Sequence, residues 1–306
     1  MLRFFGSFAK INADTKGCFP AKFQYLSEKT GVFAGNTIKL RKESDTMSEN
    51  IIYCYSGAGH CLDMAKTIAA KLGDTDIVMM RSFPAKTDAR EAKRVGFIFS
   101  CMAGGLPGGV EDYVKAIQIA PDAYTFAVEQ YAGYLGCGLR KLDEIVHLDY
   151  WTGISNHSTA IWLMPHTLTF PPTTPEIAQK RIDRKAAEVA ALVLSGRRSE
   201  KRPPREAVFE QMSKGLGKTH AQRVKKFAAN DSCIGCGTCV QICPRGNIRL
   251  EGNRPRFGSD CIGCLSCVQF CPKQAIDIGK ITEKRERFPN PRIKAEELSQ
   301  KLIHVD

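Results

Sequence analysis

The sequence has 306 residues, of which 43% are hydrophobic and 25% are charged. This is the composition of an ordinary globular protein, and the length is sufficient for two domains with separate cores. No segment approaches the run of about 18 apolar residues that a transmembrane helix needs, so we expect a cytoplasmic protein with no membrane partner.

The net charge of +12 is unevenly distributed along the chain. Residues 1–46 contain eight Lys or Arg and four Asp or Glu, and residues 197–226 contain ten and three. The basic charge therefore belongs to a tail and a linker rather than to a folded face. A linker solvated by its own charges is the simplest interpretation, and docking of an acidic protein partner is the alternative. Nucleic-acid binding is not expected, because few aromatic residues are interleaved with these charges.

Residues 1–46 show no sustained hydrophobic period and are predicted to be a disordered N-terminal extension. Met47 is then expected to start the compact part of the chain. A targeting peptide is the alternative interpretation, because this segment has an excess of basic residues.

Residues 47–196 alternate strand-like and helix-like segments. Strands are predicted near 50–55, 76–80, 94–100, 123–129 and 158–163, and helices near 60–72, 109–120, 136–145 and 175–195. Thr174 is a suitable N-cap for the last helix, and Pro175 suits its first position. The alternation predicts an α/β domain with a doubly wound parallel sheet of five strands, in which ligands bind outside the carboxyl ends of the strands.

Three glycine-rich loops follow predicted strands and are the candidate cofactor site. They read YSGAGHC at 55–61, CMAGGLPGG at 101–109 and EQYAGYLGCG at 129–138. A phosphate would bind backbone N–H groups at the start of the helix near His60, and the second and third loops would bracket a flat ring. The sequence GAGHCL lacks the third glycine of a dinucleotide fingerprint, which disfavours NAD at this loop.

The strongest motif in the sequence is an internal repeat of eight cysteines. Residues 233–250 and 261–278 are identical at ten of 18 positions, and both contain C-x2-C-x2-C-x3-C-P. Three thiolates spaced in this way can bind three corners of a 4Fe–4S cluster, while the cysteine before proline serves the other cluster. Cluster 1 is therefore assigned to Cys233, Cys236, Cys239 and Cys271, and cluster 2 to Cys261, Cys264, Cys267 and Cys243. A zinc site is the alternative, and it fits poorly because structural zinc usually takes two separate CxxC pairs.

The cysteine repeat predicts a small α+β two-cluster ferredoxin domain at residues 228–280. Residues 197–227 before it are predicted to be a basic linker, and residues 281–306 after it a C-terminal tail.

Taken together, these motifs resemble two known families. Residues 228–280 resemble a bacterial-type two-cluster ferredoxin module, and residues 50–145 resemble flavodoxin-like domains. Residues 50–295 are similar to bacterial and archaeal proteins that fuse the two, through IIYCYSGAGHCLDMAKTIA, AGGLP and ERFPNPRI. The resemblance implies FMN in the front domain and electron transfer to the clusters. Carried over to this sequence, the phosphate loop is Ser56, Gly57, Ala58, Gly59, His60 and Cys61, and the loops that flank the flavin are Met102, Ala103, Gly104, Gly105, Leu106 and Pro107, then Gln130, Tyr131, Ala132, Gly133, Tyr134 and Gly136.

The phosphate loop departs from the family pattern. Family loops usually read like S-G-T-G-N-S, whereas Ala58 and Cys61 offer no hydroxyl and His60 replaces the amide. Each lost charge-assisted hydrogen bond costs roughly 1.5–3 kcal/mol, so two would weaken binding by about two to four powers of ten. Backbone amides and a protonated His60 would offset part of this. Bound FMN, a weakened flavin site and a purely structural domain are the alternatives.

The expected function is intracellular electron transfer between FMN and two 4Fe–4S clusters. One alternative is a flavin-dependent reductase that acts on a small molecule and receives electrons from the clusters. The other is a ferredoxin whose front domain binds no flavin and only docks a partner.

Overall fold

A computed structural model describes residues 32–33, 36–39, 48–81, 86–162, 173–204 and 207–306. The strands are β1 (Val32–Phe33), β2 (Asn36–Lys39), β3 (Asn50–Cys54), β4 (Thr75–Met79), β5 (Asp88–Ala89), β6 (Arg94–Ser100), β7 (Gln118–Ile119), β8 (Tyr124–Tyr131), β9 (Tyr150–Ser155), β10 (Phe227–Ala229), β11 (Ile248–Glu251), β12 (Arg254–Phe257), β13 (Ile276–Ile278) and β14 (Leu302–Val305). The α-helices are α1 (His60–Leu72), α2 (Val110–Lys115), α3 (Gly138–Val146), α4 (Pro175–Leu194), α5 (Ala207–Arg223), α6 (Thr238–Ile242), α7 (Ser266–Gln269) and α8 (Ala295–Ser299).

A mostly parallel sheet organises the front of the molecule. Its strand order is β1-β2-β14-β4-β3-β6-β8-β9, and the run from β4 to β9 is parallel. Numbered along the chain, the five parallel strands have the order 2-1-3-4-5, which is that of the flavodoxin-like doubly wound fold. The fold class predicted from the sequence is therefore confirmed, although the sheet in the described residues has eight strands rather than five.

The sheet is covered by helices on both faces because its central strands are apolar on both sides. Successive residues of a strand point to opposite faces. In β3, Ile52 and Cys54 pack in the core that contains α1 and α4, whereas Ile51 and Tyr53 pack in the core that contains α2 and α3. All four of these side chains are fully buried.

The predicted helices are confirmed at the two longest segments. Helix α1 spans the predicted residues 60–72, and α4 begins at Pro175 with the Thr174 hydroxyl accepting a hydrogen bond from the Ile177 N–H at 3.4 Å. Helices α2 and α3 are shorter than predicted. No helix in the described ranges combines the length and the apolarity that a membrane span requires.

The fifth parallel strand lies before the position predicted for it. The predicted strand at 158–163 is wrong, because the strand is β9 at Tyr150–Ser155 and residues 156–160 have no regular structure. Gly153 explains the error, since an interior glycine weakens the sequence signal of a strand. Here the glycine is required by packing, because a Cβ atom at this position would lie 2.4 Å from a methyl carbon of Leu135.

The cysteine repeat folds as a small module of two antiparallel strand pairs and two short helices. Strand β10 pairs with β13, β11 pairs with β12, and helices α6 and α7 carry the third cysteine of each motif. Its own apolar core includes Phe227, Ile248 and Val268. Residues 227–281, which include the 3₁₀ turn at Gly279–Ile281, are called the cluster module below.

The segments predicted as linker and tail are structured. Residues 207–223, within the predicted linker, form helix α5, whose two interior glycines hid its helical character. The predicted tail contains α8 and β14, and β14 lies antiparallel to β4 in the front sheet. Within the predicted disordered extension, β1 and β2 form a hairpin, and β2 pairs with β14. The other residues of 1–46 lie outside the described ranges.

Candidate functional site

One cavity lies at the carboxyl ends of β3, β6 and β8, against the cluster module. Twelve of the residues predicted for the flavin site line it: Ser56, Gly57, Ala58, His60, Cys61, Met102, Ala103, Gly104, Gln130, Tyr131, Ala132 and Tyr134. The structure thus brings all three glycine-rich loops together at the edge of the sheet where ligands of this fold bind. This cavity is called the front cavity below.

Six predicted residues do not line the front cavity, namely Gly59, Gly105, Leu106, Pro107, Gly133 and Gly136. Two of them shape its loops instead. Gly59 has a φ of 91° at the start of α1, and Gly136 has a φ of 74°. A Cβ atom at Gly136 would lie 2.6 Å from the Gly104 carbonyl oxygen, so only glycine lets the third loop pack against the second.

The unusual residues of the first loop bind a later segment of the chain. The Ala58 carbonyl accepts a hydrogen bond from the Asn290 N–H at 2.8 Å. His60 Nε2 lies 3.2 Å from the Phe288 carbonyl oxygen, and its Nδ1 lies 3.3 Å from the Asn290 amide nitrogen. Cys61 is 2% exposed and belongs to the apolar core. The altered loop is therefore built to hold residues 288–290.

His60 is neutral in this arrangement. Burial lowers the pKa of His60 to about 4, and the hydrogen bond to Phe288 opposes that shift. A neutral ring with the proton on Nε2 donates to the Phe288 carbonyl and accepts from Asn290 through Nδ1, which satisfies both contacts. Because both ring nitrogens of His60 face Phe288 and Asn290, neither is directed at a phosphate in this arrangement.

The front cavity is uncharged, since no described residue that lines it is Lys, Arg, Asp or Glu. A phosphate here would meet only backbone N–H groups, hydroxyls and the positive end of the α1 dipole. The Ser56 hydroxyl already accepts a hydrogen bond from the Leu62 N–H at 3.3 Å. Aromatic walls at Tyr131, Tyr134 and Trp162 suit a flat ring. The residues present fit a flavin, with weak provision for its phosphate.

A buried acid lies beneath the cavity floor. Glu129 is 0% exposed, and its Oε2 accepts the Leu139 N–H at 3.0 Å, at the start of α3. Burial raises the pKa of Glu129 to about 8, whereas its hydrogen bonds with Cys101 and Leu139 oppose the shift. Cys101 lines the cavity above it, so a protonated carboxyl lies one side chain away from the cavity.

Each predicted set of four cluster ligands surrounds its own cavity. Cys233, Cys236, Cys239 and Cys271 line one, and Cys243, Cys261, Cys264 and Cys267 line the other. In both, the cysteine before proline comes from the opposite half of the repeat, as the motif predicts. Three glycines with positive φ turn the backbone around the thiols, namely Gly235 (67°), Gly237 (78°) and Gly263 (66°). Within the described ranges, no group of three or more His, Cys, Asp or Glu is placed to hold a single metal ion.

The second cysteine cavity adjoins the front cavity. Cys264 and Leu265 line both of them. The first loop touches the same residue, because a Cβ atom at Gly57 would lie 2.3 Å from the Cys264 carbonyl oxygen. The close approach of these two loops requires glycine at position 57.

Cys101, the first residue of the second predicted loop, also lines the front cavity, and the sequence did not predict several others: Ser100, Asn156, His157, Ser158, Thr159, Ala160, Trp162, Leu216, His220, Gly263, Cys264 and Leu265. Residues 156–160 follow the carboxyl end of β9, so correct placement of that strand would have found them. Leu216 and His220 lie on α5, and the linker prediction gave no reason to include them.

One comparison with known proteins identifies part of the second half of the chain. Residues 225–272 match the family model described as a 4Fe-4S dicluster domain, so this part of the chain is an iron–sulfur domain. A search of curated proteins finds no match.

Solved structures of azoreductases resemble the front of the molecule weakly. An FMN-dependent NADH-azoreductase from Bacillus anthracis str. Ames Ancestor, solved with FMN, has a TM-score of 0.34 and 8% identity, over 47% of this chain and 97% of that one. An azoreductase from Bacillus anthracis str. Sterne has a TM-score of 0.33 and 9% identity, over 46% and 98%. Azoreductase AzrA has a TM-score of 0.34 and 10% identity, over 46% and 99%. The fold assignment rests on the strand order rather than on these scores.

Proposed function

We propose that this protein transfers electrons between a flavin in the front cavity and two 4Fe–4S clusters in the cluster module. The observation that supports this most directly is the position of Cys264, which borders both the front cavity and the cavity of the predicted cluster 2. A flavin and cluster 2 would then be separated by about one residue, with no movement of the cluster module required.

The three loops would hold FMN in distinct ways. The ring would lie between the second loop, at Met102 and Gly104, and the third loop, at Tyr131 and Tyr134. The phosphate would lie at the start of α1, where backbone N–H groups point outward. When bound, FMN supplies exchange between one-electron and two-electron carriers. The chain itself supplies orientation and exclusion of water.

The two cluster sites differ in exposure, which suggests an order for the relay. At the predicted cluster 1, Cys236 is exposed and the neighbouring Ile234 is 61% exposed. At cluster 2, none of the four cysteines is exposed, and Cys264 borders the front cavity. Cluster 1 would exchange electrons with an external partner, and cluster 2 with the flavin.

An acidic redox protein is the partner that fits cluster 1. The β11–β12 hairpin beside it carries Arg249 and Arg256, whose side chains are 77% and 66% exposed. Both arginines pair with the single carboxylate of Glu251, so these three side chains together carry a net positive charge. Salt would weaken such docking because these charges face solvent.

The first test is to purify the protein without oxygen and measure iron, sulfide and acid-released flavin. About eight iron atoms and one FMN per chain would support the proposal. Eight iron atoms with no flavin, even after excess FMN is added, would instead support a ferredoxin with a flavin-free docking domain. Riboflavin should compete well with FMN, because the front cavity offers no charged side chain to the phosphate.

Reduction of a small molecule is the second candidate function. It is favoured by the extent of the front cavity, which continues past the three loops to His157, Trp162 and His220. Glu129 below Cys101 would supply the proton, and the sequence analysis did not identify it. Anaerobic turnover of quinones or nitroaromatics with chemically reduced protein would support this function. A reduced protein that passes electrons only to protein acceptors would contradict it.

A further inference from the structure

Two side chains of the front sheet lie against the predicted ligands of cluster 2. Tyr55 follows β3 directly, and Arg81 lies two residues after β4. Both line a small cleft between the carboxyl edge of the sheet and the cysteine loop at Pro244 and Ile262. Two polar side chains that follow neighbouring parallel strands therefore lie beside the predicted ligands of cluster 2.

Tyr55 presents a buried hydroxyl to this set. The residue is 3% exposed, and its hydroxyl faces the Cys264 thiol, a weak acceptor, without the geometry of a regular hydrogen bond. A buried hydroxyl that lacks a good acceptor destabilises the fold. A cluster-bound Cys264 thiolate would be a strong acceptor for it.

Arg81 places a positive charge at the same site. Its guanidinium donates to the Cys243 carbonyl at 2.9 Å, the Gln241 carbonyl at 3.0 Å and the Leu298 carbonyl at 2.6 Å. The Cys243 and Cys264 thiols both interact with its charge. The three carbonyl contacts fix the guanidinium in place, so its charge acts from a defined position.

Within the cluster module the two clusters have matching polar groups, namely Lys273 and the Thr238 hydroxyl at Cys236 for cluster 1, and Arg245 and the Ser266 hydroxyl at Cys264 for cluster 2. Tyr55 and Arg81 are additional to these, because the cleft that they line shares Pro244, Arg245 and Ile262 with the cavity of cluster 2, whereas no described residue that lines the cavity of cluster 1 comes from outside the module. The front sheet therefore acts on one cluster of the pair.

We propose that Tyr55 and Arg81 raise the reduction potential of cluster 2 above that of cluster 1. Reduction adds one negative charge to a cluster, and a hydrogen bond to sulfur or a nearby cation stabilises that charge. One electron then passes from reduced cluster 1 to oxidised cluster 2, and no bond or proton is exchanged. The two residues thus direct electrons toward the front cavity. This inference rests on the proposed function, because it requires both clusters.

The test is a redox titration of the anaerobically purified full chain, followed by electron paramagnetic resonance. Tyr55→Phe keeps the ring and removes only the hydroxyl. We expect the potential of cluster 2 alone to fall, so that the equilibrium constant for electron transfer from cluster 1 to cluster 2 drops about tenfold, or about 59 mV for one electron. Arg81→Gln should act in the same direction, and Arg81→Lys, which keeps the charge, should restore most of the potential.

Arg249→Gln is the matched control, since it removes an exposed cation of the β11–β12 hairpin and should leave cluster 2 unchanged. Iron is measured in every variant. About eight iron atoms with an unchanged cluster 2 potential in Tyr55→Phe would overturn the inference while leaving the proposed function intact. Equal shifts of both clusters would also overturn it. Fewer than eight iron atoms in the unsubstituted protein would overturn the proposed function itself.

Discussion

Replacement of Glu129 by glutamine should make the protein more stable at alkaline pH. In the folded chain the pKa of this carboxyl is raised to about 8 by burial, from an ordinary value of 4.5. Between those two pH values the folded state keeps a proton that the unfolded state has lost. Stability therefore falls as pH rises through this window. Glutamine is neutral in both states, and it can still accept the Leu139 N–H.

The size of the effect follows from the pKa displacement. One pKa unit corresponds to about 1.4 kcal/mol. Because of Glu129, the free energy of unfolding should therefore be about 3 kcal/mol lower at pH 8 than at pH 5. The variant should lose this dependence. Other titrating groups, His60 among them, act on both proteins and cancel in the comparison.

The assay is urea unfolding of both proteins at pH 5, 6, 7 and 8 under anaerobic conditions, followed by circular dichroism. Glu144→Gln is the control, because Glu144 is a half-exposed helix residue paired with Arg140. An infrared band of a protonated carboxyl that titrates near pH 8, and is absent from Glu129→Gln, would identify the group directly. A stability difference between Glu129→Gln and the unsubstituted protein that stays constant from pH 5 to pH 8 would refute the reasoning.

Three further perturbations test the packing of the two halves. Gly57→Ala should lower the unfolding free energy by about 1–3 kcal/mol, since its Cβ would lie 2.3 Å from the Cys264 carbonyl oxygen; an unchanged melting temperature would contradict this contact. Gly215→Ala, inside α5 with open space around it, should instead raise stability by up to about 1 kcal/mol; a loss would argue against the helix. Deletion of 302–306 should lower the melting temperature strongly, because Ile303 and Val305 are buried and the edge of β4 loses its partner; near-normal melting would show that β14 adds little.

The parts of the fold that sequence predicted well are those with strong local signals. Helix α1 has a clear apolar face, and Thr174 with Pro175 marks the start of α4. The cysteine spacing is equally local, and each predicted set of four thiols does surround one cavity. In each case the information lies within a few residues of the feature that it determines.

The predictions that failed concern features that are determined by packing between residues far apart in the sequence. Strand β9 was placed wrongly because Gly153 weakens its sequence pattern. This glycine is required by the packing of Leu135 against it and does not mark a turn. Strand β14 is only four residues long, and nothing local indicates that it pairs with β4. The contacts of His60 with Phe288 and Asn290 join positions about 230 residues apart. A single sequence carries no direct sign of such pairings.

Because β14 follows the cluster module in the chain, that module is an insertion within the flavodoxin-like unit. Both of its ends are attached to the front domain, one through α5, where the Ser213 hydroxyl donates to the Gly104 carbonyl, and the other through residues 288–305. Synthesis proceeds from the N-terminus. Strands β4 and β2 therefore cannot pair with β14, which lies between them, until all eight cysteines of the repeat have been made. The front sheet is therefore completed only at a late stage of synthesis, when both cysteine motifs are already present.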